Sequence, residues 1–212
     1  MKKVFYLLIS VFFLFHSPLW AGEIMEQEIA LSKSEQAKVF SGEIVLREIK
    51  SNREHPTFEA IGVFEANIER VYKLLGDYAL HSQFMPNVTR AEVIEKTDHH
   101  LLVNYTLGLP MGQSKRYRLK ITTQKSIQQA RIEWQLVDWP GIKPGETIRD
   151  TQGYWLLKPS LDDKTLALYH VYTDPGHIPF GFGWIVDYLS KESIPDVLIN
   201  TRKYLKTYRE NR

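Results

Sequence analysis

The spacing of hydrophobic positions changes several times along the chain, and each change marks a different kind of element. Val4–Phe15 (VFYLLISVFFLF) is apolar without any period and follows Lys2 and Lys3. Residues 23–31 are mixed and predict no ordered element. Ser32 and Glu35 stand three apart, the spacing of a capping box, and predict a short helix from Lys33 to Phe40 stopped by Gly42. Glu43–Lys50 and Thr57–Ala66 read as strands joined by the polar hairpin Ser51–Pro56. Asn67 then suits an N-cap, and Ile68, Val71, Tyr72, Leu75 and Tyr78 follow at helical spacing. Glu69 lies in the first turn, where the helix dipole favours an acid. This helix is predicted to end near Asp77, with a loop from Ala79 to Asn87.

From Val88 the period is two. Val88–Lys96, Leu101–Leu107, Ser114–Thr123, Ala130–Val137, Thr147–Leu157 and Thr165–Thr173 read as strands, with turn formers in every gap. Alternation is clearest for Tyr117/Leu119/Ile121 against Arg116/Arg118/Lys120, and for Ile132/Trp134/Leu136 against Arg131/Glu133/Gln135. Each strand therefore has one apolar and one wet face. The basic stripe is expected to be solvated and ion-paired with acids on the next strand. Trp184–Tyr208 returns to helical spacing, and Pro195 predicts a kink or restart at Ser193–Pro195. The order is helix, two strands, helix, six strands, long helix. It predicts an α+β domain: an antiparallel meander whose apolar face is covered by the C-terminal helix.

Composition changes the picture at the N-terminus. The apolar run of 12 residues is short against the roughly 20 that span a bilayer. With the two lysines before it and Ala21 after it, it has the form of a secretory signal peptide cleaved near Ala21. An uncleaved anchor is the alternative. The expected organisation is signal peptide 1–21, an extension with a short helix 22–42, and a domain 43–212. The protein is expected to be exported, to the periplasm of a double-membraned bacterium or into the medium. The full chain has 27 basic and 25 acidic residues; the segment to Ala21 holds two lysines and no acid, so the remainder is balanced. That excludes the net basic surface a nucleic-acid partner requires. The absence of cysteine excludes disulfides, thiolate metal sites and Cys nucleophiles. The 11 Tyr, 10 Phe and 5 Trp fit either a packed core or an apolar pocket.

Four segments carry a resemblance in combination. They are Ala66–Tyr78 (ANIERVYKLLGDY) with Phe84-Met85-Pro86-Asn87-Val88; Gly153–Leu157 (GYWLL); Tyr169 to Asp174-Pro175-Gly176 leading into Ile178-Pro179; and Ser193–Leu198 (SIPDVL). In this order, between Glu43 and Arg209, the sequence resembles the START-like (helix-grip) superfamily, nearest its coenzyme Q-binding and polyketide cyclase/dehydrase branch. The resemblance implies a curved antiparallel sheet wrapped around a long kinked C-terminal helix, with an apolar cavity between them. His177 departs from it, standing where a second Gly is usual. The fold hosts carriers, quinone binders, receptors and cyclases, so it does not settle the chemistry.

The alternation nominates Tyr117, Leu119, Trp134, Leu136, Trp155 and Leu157 as ligand-binding positions on the sheet, facing Trp184 and Tyr188 on the helix. Phe84, Met85, Met111, Phe180 and Phe182 lie in loops that would ring the cavity mouth. Which face of the last two strands points inward is left open. There is no Ser/His/Asp order, nucleophile elbow or phosphate loop. Catalytic candidates reduce to His170, Asp174 and His177, with Tyr172 beside them. His99-His100 falls in a hairpin turn and His81 in the loop after the first long helix. The histidines show no H-x-x-x-H or H-x-H spacing, so no metal is expected, and no cofactor is implied. The expectation is a monomeric carrier of a lipid, quinone or acyl chain, with transient membrane contact. The alternatives are a cyclase/dehydrase- or hydrolase-type enzyme using a cavity His/Asp pair, and a non-catalytic interaction domain.

Overall fold

The computed structural model describes residues 27–176 and 193–209. The predicted signal segment and residues 184–192 of the predicted C-terminal helix lie outside them. The described elements are α1 (Lys33–Phe40), β1 (Val45–Ile49), β2 (Thr57–Phe64), α2 (Ile68–Gly76), α3 (His81–Phe84), β3 (Val88–Lys96), β4 (Leu101–Gly108), β5 (Ser114–Lys125), β6 (Ala130–Val137), β7 (Asp150–Ser160), β8 (Lys164–Asp174) and α4 (Ser193–Leu205). The strands form one curved, eight-stranded antiparallel sheet in the order β1-β2-β8-β7-β6-β5-β4-β3. The six-strand meander is thus extended by β2 pairing with β8 from Thr57↔Tyr172 to Phe64↔Thr165.

The helix starts follow from their caps. Ser32 Oγ accepts from Glu35 N, and Glu35 Oε2 accepts from Ser32 N at 2.8 Å, the reciprocal pair of a capping box. Asn67 Oδ1 accepts from Arg70 N at 3.0 Å at the head of α2. The expected loop Ala79–Asn87 is instead a 3-10 turn (Tyr78–Leu80) running into α3. Neither piece has a side-chain cap, so the sequence carries no start signal there. Burial of Tyr78, His81 and Phe84 holds it. Asn87, at φ 62°, then turns the chain into β3.

Both faces of the sheet bury apolar side chains. On the concave face Phe58, Ala60 and Phe64 of β2 meet Val71, Leu74 and Leu75 of α2 and Leu198 and Leu205 of α4. Gly62 lets α4 lie close to β2: a Cβ there would stand 2.7 Å from Arg202 Nη2 and 3.1 Å from Leu198 Cδ2. On the convex face Ile61, Val63, Leu156 and Leu168 pack under Ile29, Val39 and Val45. Residues 27–31, expected to lack order, are therefore tied down. Arg47 Nη2 donates to Ala30 O at 2.7 Å, and Gln27 N donates to Gln129 Oε1 at 3.0 Å. A strand buried on both sides cannot alternate cleanly, and TFEAIGVF of β2 reads as nearly continuous apolar sequence for that reason.

The basic stripe of β5 is solvated, but its partners are not the acids of β6. The register sets Arg118 against Val137, Lys120 against Gln135 and Glu133 against Thr122. Arg116 instead pairs with Glu146 of the β6–β7 connection at 2.6 Å. Arg118 donates to Asn104 Oδ1 at 2.8 Å and lies over Trp139. Glu133 pairs with Arg131 of its own strand. Pro195 is the third residue of α4 as described, and the expected kink or restart at Ser193–Pro195 borders residues outside the description.

Candidate functional site: a cavity between the sheet and the helices

The concave face of the sheet and the helices α2, α3 and α4 line a cavity of about 170 Å³. That is roughly tenfold the space one water needs. Period two decides what reaches it. Tyr117, Leu119 and Ile121 enter from β5, and Ile132 and Trp134 from β6. Thr151 and Trp155 enter from β7, and Tyr169, Val171 and Thr173 from β8, which resolves the open question of facing. Leu75, Tyr78, His81, Ile194 and Val197 close the helical side.

Of the nominated sheet positions, Tyr117, Leu119, Trp134 and Trp155 line this space. Leu136 and Leu157 do not. Leu157 is wholly buried in the core behind the wall, and Leu136 packs against the same core. Met85 lines the cavity with Pro86 and Asn87. Phe84 does not; it is buried against Tyr204, ring centroids 5.2 Å apart. Trp184, Tyr188, Phe180, Phe182 and His177 lie outside the described residues, as does the side chain of Met111.

The walls are aromatic. Trp134 stacks on Tyr169 at 5.5 Å, Trp155 meets Tyr169 at 4.7 Å, and Tyr105 stacks on Tyr117 at 5.4 Å. Gly153 makes room for the Trp134 ring, because a Cβ there would come within 2.5 Å of Cζ2 and collide with the His170 carbonyl. No Lys, Arg, Asp or Glu is among the described lining residues.

The wall formed by α2, α3 and β4 carries polar chemistry that the sequence reading placed in a loop or on an apolar face. His81 is buried, with Nε2 3.0 Å from Leu75 O and Nδ1 2.9 Å from the Tyr105 hydroxyl. A carbonyl only accepts, so Nε2 bears the hydrogen. Burial lowers the His81 pKa from 6.5 to about 4, so the ring is neutral at pH 7. Nδ1 must then accept, and Tyr105 donates to it. The Tyr78 hydroxyl is buried and has no hydrogen-bond partner among the described residues. Burial raises the pKa of Tyr78, Tyr105, Tyr117 and Tyr169, so all four remain phenols. Tyr105 was findable from sequence, since it alternates with Val103 on β4. His81 was not, because its placement depends on a helix with no cap.

The catalytic candidates lie elsewhere. His170 projects from the convex face, where Nδ1 is 3.1 Å from Glu59 Oε1 and the ring stacks on Tyr154 at 4.7 Å. Tyr172 lies on that same face under Arg53. Asp174 is buried at the end of β8 and accepts from Gly176 N at 2.8 Å. Its carboxylate, His55 and Glu54 bring ligand atoms within 4.8 Å of one another. Arg149 Nη1 already serves both acids, at 2.9 Å from Glu54 and 3.1 Å from Asp174.

Residues 64–177 match the family described as polyketide cyclase / dehydrase and lipid transport. The chain belongs to this family and has the START-like helix-grip fold. A STAR-related lipid transfer protein from Xanthomonas axonopodis superposes with a TM-score of 0.66 at 20% identity, over 77% of this chain and 93% of that one. Human StAR-related lipid transfer protein 5 gives 0.66 at 18%, over 80% and 84%. The Zhui aromatase/cyclase from Streptomyces gives 0.54 at 11%, over 76% and 94%. No curated protein sequence matches the chain.

Proposed function

We propose that this protein is an exported, monomeric carrier that holds a hydrophobic ligand (a lipid, quinone or acyl chain) between its sheet and its C-terminal helix. The observation that carries the reading is the cavity wall, which is aromatic and aliphatic and has no charged side chain among the described residues. Transfer of apolar surface into such a space is favourable by roughly 25 cal/mol per Å². The lipid-transfer names of similarly folded proteins agree with it. Export is supported by Lys2-Lys3, the short apolar run Val4–Phe15 and the small residue Ala21. Collection and release of so apolar a cargo require transient contact with a membrane. The enzyme alternative has less support, since His170 and Asp174 form no pair in the cavity.

The test is native mass spectrometry of the chain purified from an exporting host, followed by solvent extraction. A mature N-terminus at Gly22 and a stoichiometric apolar molecule are expected. A protein that carries nothing and takes up no lipid from vesicles overturns the carrier reading. An intact N-terminus overturns cleavage.

A further inference from the structure

Residues 27–40 seal the convex face over β2, β7 and β8 through Ile29 and Val39. Over β4 and β5 the convex side chains Asn104, Thr106, Arg116, Arg118 and Lys120 are exposed or half-buried. Arg116 is neutralised by Glu146 at 2.6 Å. Arg118 and Lys120 meet no carboxylate among the described residues. Arg118 donates to Asn104 Oδ1, and the register sets Lys120 between Leu102 and Gln135. The connection from β6 to β7, residues 138–149, adds the exposed Lys143, while its Arg149 is taken by Glu54 and Asp174. Its acids are Asp138 and Glu146, so Arg116, Arg118, Lys120 and Lys143 outnumber the carboxylates beside them by four to two. On the flanking strands the pairs Arg90–Glu92 and Arg131–Glu133 cancel. Trp139 of the same connection stands at the end of the stripe, its ring 5.2 Å from the Arg118 guanidinium and 6.0 Å from that of Arg116. The connection then rounds the end of the sheet and puts Ile148, 3% exposed, into the cavity wall.

Resting on the carrier reading, we infer that the convex stripe of β5, with Trp139 and Lys143, is the surface by which the protein docks on a bilayer bearing anionic headgroups. Cations without a carboxylate of their own are attracted to such a surface, and the attraction falls off within a Debye length. An indole with a free N–H and an apolar ring suits the headgroup level of a bilayer. An acidic protein would meet the same cations, but a bilayer is also where an apolar cargo resides. Docking here brings to the membrane the one connection that carries both Trp139 outside and Ile148 in the cavity wall.

Flotation of the chain purified from an exporting host tests this, with vesicles of phosphatidylcholine alone and of phosphatidylcholine mixed with phosphatidylglycerol. The native chain is expected to float with the mixed vesicles at low salt, to be released at high salt, and to stay behind with phosphatidylcholine alone. Lys120→Gln with Lys143→Gln removes two charges from the stripe. Lys203→Gln with Lys206→Gln removes two from the end of α4, at the opposite end of the sheet, where Arg70 holds the Leu205 and Tyr208 carbonyls. The first pair is expected to weaken binding to mixed vesicles by about fivefold per charge, about 25-fold together, with the melting temperature unchanged. The second pair should change it little. Trp emission should shift to the blue on docking, and Trp139→Phe should remove that shift. Equal losses from the two lysine pairs, or equal binding to the two kinds of vesicle, overturn the surface. A blue shift that survives Trp139→Phe overturns the part given to Trp139. Failure to float with mixed vesicles, in a chain that takes up a fluorescent lipid from detergent solution, overturns the docking surface and leaves the carrier intact. A chain that docks but takes up no lipid overturns the carrier reading and leaves the surface standing.

Discussion

His81 concentrates the chemistry of this cavity in one side chain. The folded protein holds it neutral down to about pH 4, while the unfolded chain protonates it near its ordinary 6.5. Unfolding therefore takes up a proton as the pH falls through that window, and stability falls with it, by about 3 kcal/mol in all. Above pH 6.5 the contribution is constant. Glu59, held below its usual range first by its hydrogen bond to His170, adds a loss of the same sign at lower pH. Urea denaturation between pH 7.5 and 4.5 separates the two. His81→Gln, which can still donate to the Leu75 carbonyl, is expected to flatten the fall between 6.5 and 4 while the Glu59 loss remains. An unchanged pH profile in that variant would mean the histidine is solvated. None of this was legible in the sequence, where His81 reads as one polar residue in a polar loop. Its neighbours are Leu75, six residues back, and Tyr105, on another strand.

At the scale of elements, most boundaries were legible because the signals are local. α1 has Ser32 and Glu35, α2 has Asn67, and β5 and β6 alternate in sequence as they do in space. What a strand touches is set by register, which single-strand patterns do not carry. The β5 stripe shows this, since its expected acid on β6 lies opposite Thr122. Gly153 shows it from the other side: it reads as a weak point within β7, yet Trp134 of β6 lies across it. Gly153→Ala puts a methyl into both that ring and the His170 carbonyl, and the nearest atoms include backbone, which cannot swing aside. Overpacking of this kind costs about 1–3 kcal/mol. Thermal unfolding should show that loss, and Trp fluorescence should shift as the Trp134 ring is displaced from Tyr169. Ser32→Ala at the other end of the chain should cost about 1 kcal/mol through the lost cap. It should appear first as faster proteolysis within residues 27–40, not as a change in the cavity.

Across the whole molecule, the sheet does two separate jobs on its two faces. The concave face carries the cavity, and the convex face is sealed by residues 27–40 through Ile29 and Val39. The two are linked by the sheet, whose strands are fixed by antiparallel hydrogen bonding along their length, and at its edge by Arg202 of α4, whose Nη1 donates to Gly42 O just after α1 at 2.8 Å. Stability and lipid uptake should therefore come apart. Ile29→Ala with Val39→Ala deletes apolar surface from the convex seal, and at 25 cal/mol per Å² plus the cavities left behind the pair should cost about 3 kcal/mol. It should leave uptake of a fluorescent lipid where it is in the native chain. Tyr78→Phe, which deletes a buried hydroxyl with no partner among the described residues, should leave stability equal or higher. Denaturation midpoints and lipid uptake measured on both variants decide the matter. If loosening the convex seal also weakens lipid uptake, the two faces are coupled through the curvature of the sheet, and residues 27–40 belong to the binding machinery.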